Sequence, residues 1–263
     1  MKPGFVPALG TPLDKDGNLV ADSLRKHIDD QIKAGAVGLL CMGSMGKEAF
    51  IRDDVYPEVA KVAVEANAGR VKLFIGAMDT SIARVKQRIA PLEDLEFDGL
   101  VLMAPYYAVP NRSQVINFIR EVAKLTKHKV LIYDLPPVCQ FKVTYDMVLE
   151  LIKTVPNFAG IKSADTVMFR KLKLNPDVPK DFDMVYSGLD MFDIAYKWGI
   201  NTCLDGMLSC TPYNTKMLFE SMAVGEYDAA ANYLNNIVSL RDCFLANNLM
   251  PAFTESMHML GYD

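Results

Sequence analysis

Histidine and paired cysteine, the usual carriers of metal and disulfide chemistry, are thinly supplied in this chain. Only three histidines occur, His27, His128 and His258, far apart and outside any strand-end motif. The five cysteines, Cys41, Cys139, Cys203, Cys210 and Cys243, are odd in number and contain no C-x-x-C pair. That spacing offers neither a disulfide framework nor a zinc site; it reads as reduced thiols in a cytoplasm. His-based triads lack material for the same reason. No Lys/Arg run stands out and the net charge is −4, so nothing draws nucleic acid or an anionic membrane electrostatically. No apolar run reaches the length of a membrane span. The opening MKPGFVPALGTPLD places Pro and Gly where a signal peptide needs a continuous apolar stretch. The expectations are a cytoplasmic location, no metal and no cofactor.

What the sequence does contain is a regular alternation. Hydrophobic residues make up 51% and charged residues 23% of 263, ordinary for a globular enzyme. Short apolar runs predict strands near 5–9, 37–42, 72–77, 99–104, 130–134, 158–162, 184–188 and 202–207. Longer amphipathic stretches separate them. Strands apolar on both faces that alternate with helices signal a parallel sheet with right-handed crossovers. Eight such units over residues 1–225 have the size of a closed (β/α)8 TIM barrel. Gly38, Gly99 and Gly160 recur at a 61-residue spacing (99−38 and 160−99), one period for every two βα units; helix-closing glycines would give the same pattern. Residues 226–263 turn purely helical and predict an extension packed on the barrel, within a single domain.

In such barrels chemistry gathers where the strands end. The sixth strand, FAGIK (158–162), ends on Lys162. A buried ammonium is costly; the lysine either reaches water or serves as a desolvated amine of lowered pKa. Alternation puts Lys162 and Gly160 on the inner face, and Leu131 with Tyr133 on one face of the neighbouring strand. A neutral amine attacks a ketone to give an imine, and a nearby phenol can carry protons for the C–C step that follows. The GSMG turn (43–46) offers amide groups for a carboxylate, and Ser44 adds a hydroxyl. Each feature has a plainer alternative. Strand-end lysines are mostly structural, Tyr106-Tyr107 can be packing, and Asp190 can be a helix N-cap.

Together, G-x-x-x-x-L-x-T-P (Gly4 to Pro12), GSMG (43–46), PYY (105–107), IYDLP (132–136) and GIK (160–162) resemble the dihydrodipicolinate synthase/N-acetylneuraminate lyase family of class I aldolases. The resemblance spans nearly the whole chain. It implies that Lys162 forms the imine with pyruvate and that Tyr133 shuttles protons. It implies that Ser44 links Tyr133 to Tyr107, the latter reaching in from a neighbouring subunit. The amides of Ser44 and Met45 would hold the pyruvate carboxylate, and Gly188, Asp190 and Ser209 would lie along the substrate's tail. Family members are homo-oligomers, typically tetramers, and need no metal or organic cofactor.

The departures narrow the substrate. Met45 stands where members carry Ser, Thr or Gly; Lys47 stands at the usual glutamate, with Glu48 one place on. Val138 replaces the synthases' carboxylate-binding arginine, with Cys139-Gln140 following. Ala164 and Met191 replace polar groups of the sialic acid lyases. The chain also ends roughly two helices short of a typical member. The expected function is a Schiff-base aldolase or lyase joining or parting pyruvate and an aldehyde, with short hydroxylated or partly apolar 2-oxo acids favoured. Condensation with aspartate semialdehyde, as in dihydrodipicolinate synthase, is the alternative. A non-catalytic binding barrel, or a phosphate site at the SGLD loop (187–190), lies further off.

Overall fold

The eight apolar runs become eight parallel strands in a computed structural model that describes residues 1–263. They are β1 (Gly4–Pro7), β2 (Gly38–Cys41), β3 (Lys72–Gly76), β4 (Gly99–Met103), β5 (Val130–Tyr133), β6 (Phe158–Ser163), β7 (Asp183–Tyr186) and β8 (Thr202–Asp205). Hydrogen-bonded neighbours run β1-β8-β7-β6-β5-β4-β3-β2. The ring closes between β1 and β2, where the Leu9 N–H donates to the Leu40 carbonyl and the Val37 N–H to the Phe5 carbonyl, each at 2.9 Å. This is a (β/α)8 barrel, and closure leaves no strand edge unpaired.

The helices follow as the amphipathic stretches predict. They are α1 (Ala21–Lys33), α2 (Tyr56–Asn67), α3 (Ile82–Ile89), α4 (Arg112–Ala123), α5 (Pro136–Cys139), α6 (Tyr145–Thr154), α7 (Thr166–Leu174), α8 (Phe192–Lys197), α9 (Met207–Cys210) and α10 (Pro212–Val224). Two more, α11 (Tyr227–Ala246) and α12 (Leu249–Met259), form the C-terminal helices. Local chemistry explains several starts. Asn111 and Gln114 satisfy each other's amides in a capping box at α4. Asp165 accepts the Met168 N–H at 2.8 Å and so caps α7. The short α5 and α9 escaped the sequence reading because four-residue helices leave no measurable periodicity.

Inner and outer faces sort by alternation. Tyr186 faces outward, its ring against Phe169 of α7 and Phe192 of α8; its register partner Cys203 shares that side. Val185, one residue earlier, therefore faces inward beside its own partner Lys162. Gly160 has a local purpose here. A β-carbon on it would lie 2.7 Å from the Asp183 carbonyl and 2.8 Å from Leu131 Cγ. The Leu131 side chain fills the layer directly under the lysine, and only a glycine makes room for it.

Candidate active site

Tyr133 and Lys162 are register partners at the mouth ends of β5 and β6. Lys162 is 5% exposed and Tyr133 is also buried. The lysine amine stands 3.6 Å from the centre of the Tyr133 ring, over its face. The alternation argument from sequence therefore places these two side chains together as expected. Met103 is the next partner along the ring of strands, beside Tyr133.

The GSMG turn follows β2 on the same rim. Ser44 and Met45 are half-buried, and the Ser44 carbonyl accepts the Lys47 N–H at 3.1 Å. The Met45 side chain lies across Gly206 at the end of β8: a β-carbon on Gly206 would meet Met45 Cγ at 2.8 Å. Lys47 adopts a left-handed φ of 53°. That twist turns the next residue inward, so Glu48, not residue 47, is the buried carboxyl. Arg88 Nη1 comes within 2.8 Å of Glu48 Oε1, but its hydrogen-bond geometry favours the Glu48 carbonyl, at 3.3 Å. Arg88 Nε donates to Asp79 Oδ2 at 2.8 Å, so its charge is matched without Glu48. Burial pushes the Glu48 carboxyl up to about 8 against the pull of Arg88.

Tyr107 is 98% exposed and holds a left-handed φ of 78°. Within one chain no hydrogen bond joins Ser44, Tyr133 and Tyr107. Tyr106, its neighbour, is half-buried, and burial raises its phenol above the ordinary tyrosine range.

The tail candidates separate. Gly188 lies beside the Tyr186 hydroxyl. Asp190 sits on the rim with both carboxylate oxygens taken by Arg241 of α11, at 2.6 and 2.7 Å; these bonds hold its carboxyl below the usual range. Ser209 is fully buried, and its hydroxyl donates to the Gly206 carbonyl at 2.6 Å. Its own carbonyl accepts Gln31 Nε2 at 2.8 Å and lies 3.3 Å from His27 Nε2. The Ser209 carbonyl thus faces α1, while its hydroxyl turns back on Gly206. Burial drives the His27 imidazole down to about 4.

Several rim residues went unnoticed in the sequence. Asp134 and Ser163, each one place beyond the central pair, bond to one another at 2.7 Å. Lys142 donates to Asp134 and, at 3.1 Å, to Asp165. Arg241 also donates to Asp242 at 2.8 Å. Asp205 Oδ1 accepts the Met207 N–H at 2.9 Å just before α9; burial raises its carboxyl, while Lys162 and Arg241 pull the other way. The only available signal was position, since Asp134, Ser163 and Asp205 all sit at strand ends. No group of His, Cys, Asp and Glu side chains is arranged to hold a metal ion, and no helix is long and apolar enough to cross a membrane.

A closed parallel barrel with a buried lysine at its mouth, stacked on a tyrosine of the next strand, has the build of a Schiff-base lyase, an enzyme that makes or breaks C–C bonds through a lysine imine. The sequence comparison identifies the kind: the chain belongs to the Dihydrodipicolinate synthetase family, which matches residues 1–263. It is a class I, pyruvate-dependent carbon–carbon lyase or aldolase, as members of that family are. Among curated relatives it is 28% identical over 257 residues to the 4-hydroxy-tetrahydrodipicolinate synthase of Salinibacter ruber, covering 94% of this chain and 82% of the relative. It is 26% identical over 263 residues to the enzyme of the same name from Dechloromonas aromatica, covering 98% and 88%. Among solved structures, Proteus mirabilis N-acetylneuraminate lyase superposes with a TM-score of 0.91 at 18% identity, covering 100% of this chain and 90% of that one. YagE, an Escherichia coli K12 prophage protein of the dihydrodipicolinic acid synthase family solved with pyruvate, superposes at 0.88 with 21% identity over 100% and 90%. These two likenesses establish the fold.

Proposed function

We propose that Lys162 is the imine-forming residue and Tyr133 its proton carrier, and that the enzyme interconverts a 2-oxo acid with pyruvate and an uncharged aldehyde. The observation that carries this reading is the burial of the Lys162 amine against the Tyr133 ring. The amine attacks the ketone carbon and water leaves, giving an iminium. In the cleavage direction the C4 hydroxyl gives up its proton, the C3–C4 bond breaks, the aldehyde departs and the electron pair enters an enamine. Protonation of the enamine and hydrolysis then release pyruvate. Tyr133 stands where those protons are exchanged, and the amides of Ser44 and Met45, with the Ser44 hydroxyl, hold the pyruvate carboxylate.

Rim chemistry supports an uncharged partner. The cation on the β5–β6 side, Lys142, is held behind the strands by Asp134 and Asp165 and is not free to meet a substrate. The one on the β7–β8 side, Arg241, is matched by Asp190 and Asp242. Val138 and Met191 add exposed apolar surface. A second carboxylate entering here would have to break an existing ion pair before gaining its own. Asp190, already oriented by Arg241, keeps lone pairs for substrate hydroxyls. A separate reading is kept by the name that the curated relatives share, which requires condensation of pyruvate with aspartate semialdehyde. We also place the enzyme in the cytoplasm as a homo-oligomer. The exposure of Tyr107 in the single chain supports a neighbouring subunit at that point. Residues 1–225 and 226–263 are read as one unit, joined across the rim by Arg241 and Asp190.

The test is borohydride reduction in the presence of pyruvate, with mass-spectrometric mapping, followed by a panel of substrates. Reduction should attach pyruvate to Lys162, and 2-keto-3-deoxy sugar acids should be cleaved. An adduct on another lysine would refute the mechanism. Efficient condensation with aspartate semialdehyde and no cleavage would establish the second reading.

A further inference from the structure

The side chains behind the central pair form a connected ionic group. Tyr133 and Lys162 point into the barrel, so Asp134 and Ser163, the next residues on each strand, point out of it. The Asp134 side chain is 2% exposed. Its Oδ2 accepts the Ser163 hydroxyl at 2.7 Å and the Lys142 ammonium. Its Oδ1 accepts the Val143 N–H at 3.0 Å. Ser163 Oγ in turn accepts the Asp165 N–H at 3.1 Å, and Asp165 accepts Lys142. The backbone continues the link: the Asp134 N–H donates to the Lys162 carbonyl at 2.9 Å. One ammonium therefore ties together the ends of β5 and β6, the loop that carries α5, and the cap of α7.

We propose that Asp134, Lys142 and Ser163 are positioning residues for the imine chemistry, an ionic clamp on the outer face of β5 and β6 that holds the Tyr133 ring against the Lys162 amine. The inference rests on the reading of Lys162 and Tyr133 given above. The clamp touches no substrate. Burial would lower the Lys142 pKa, but its bonds to Asp134 and Asp165 raise it above the ordinary lysine value, which keeps it charged. It is a tether, not a second nucleophile. Loss of the ammonium leaves a buried carboxylate short of a partner at the strand ends, where small displacements carry large rate penalties.

Hydrogen–deuterium exchange of the pyruvate methyl group in heavy water, followed by NMR, reports imine and enamine formation without an aldehyde partner. It is measured for the full chain, for Lys142→Met, Lys142→Arg and Ser163→Ala, and for each combined with Tyr133→Phe. Lys142→Met should slow exchange about 10- to 100-fold, with the KM for pyruvate changed by less than about threefold. Lys142→Arg should recover most of the rate. On the Tyr133→Phe background, Lys142→Met should cost less than about threefold more, because the clamp acts through the tyrosine. Ser163→Ala removes one bond only and serves if Lys142→Met does not fold; its loss should follow the same pattern at smaller size. Exchange within about twofold of wild type in folded Lys142→Met, or in Ser163→Ala where it stands in, or full additivity with Tyr133→Phe, overturns the clamp. Borohydride labelling of wild-type Lys162 is run alongside: its failure overturns the underlying reading and the clamp together, whereas labelling with unchanged exchange overturns the clamp alone.

Discussion

Arg241 grips Asp190 with both ends of its guanidinium, Nη1 2.6 Å from Oδ2 and Nη2 2.7 Å from Oδ1. The pair spans 51 positions of sequence and fastens helix α11 to the loop after β7. Arg241→Met should cost less than about 1 kcal/mol of stability, because the Asp190 end is exposed to screening solvent. Its expected effect is on recognition: KM for hydroxylated 2-oxo acids should rise about two- to tenfold, the worth of one hydrogen bond. Borohydride labelling with pyruvate should be unchanged. Unaltered KM across the hydroxylated substrates would remove Asp190 from the tail site.

Tyr133→Phe keeps the ring against the amine and removes the hydroxyl. Imine formation should survive, while turnover falls by about 10²- to 10⁴-fold, the usual worth of a placed acid–base group. Reductive trapping and steady-state kinetics on the same preparation separate the two effects. Turnover close to wild type would assign the proton path to another group.

Glu48 predicts a slope in stability against pH. Its folded pKa of about 8 lies above that of an unfolded glutamate, near 4.3. Between about pH 4.3 and pH 8 the folded chain keeps a proton that the unfolded chain has lost, so rising pH favours unfolding in that window. Glu48→Gln removes the titration and keeps the shape. The fall in Tm from about pH 5 to pH 8 should therefore be shallower in the variant than in wild type. Parallel Tm curves would show that Glu48 does not carry a proton in the folded state.

Gly160→Ala places a methyl group against the Asp183 carbonyl and Leu131, with nowhere to go. Overpacking of this kind costs about 1–3 kcal/mol. Lowered Tm and weaker pyruvate labelling are expected together, since the strand that must move carries Lys162. Gly160→Ala with Leu131→Ala should regain part of both, which circular dichroism melts and labelling yields will show.

The barrel and its central pair were legible because both rest on short-range regularity. Strand runs and crossover helices are local patterns, and two-residue alternation alone sets Tyr133 and Lys162 on one inner face. The rest depends on contacts between distant segments. Asp190 reads in sequence as a cap or a hydroxyl acceptor; only the fold of α11 brings Arg241 onto it. Ser209 reads in sequence as a residue of the loop after β8; its bond to the Gly206 carbonyl appears only once α9 has turned. Lys142 carries no motif of its own, and its two partners, Asp134 and Asp165, follow two different strands. Lys47 stands at the family's usual glutamate, and only the structure shows that Glu48, one place on and after the left-handed Lys47, is buried.

Met45 and Gly206 also set an order on how this enzyme can change over generations. The methionine occupies the ground above the glycine, so a side chain at 206 would press on Met45 and oblige it to move. A lineage seeking a hydroxyl in the carboxylate turn must first exchange Met45 for a smaller residue and accept a vacancy over β8. With Met45 reduced, position 206 has room for a side chain. The reverse order places a side chain at 206 against Met45 and costs the methionine its present rotamer, which makes exchange at 45 the easier first step.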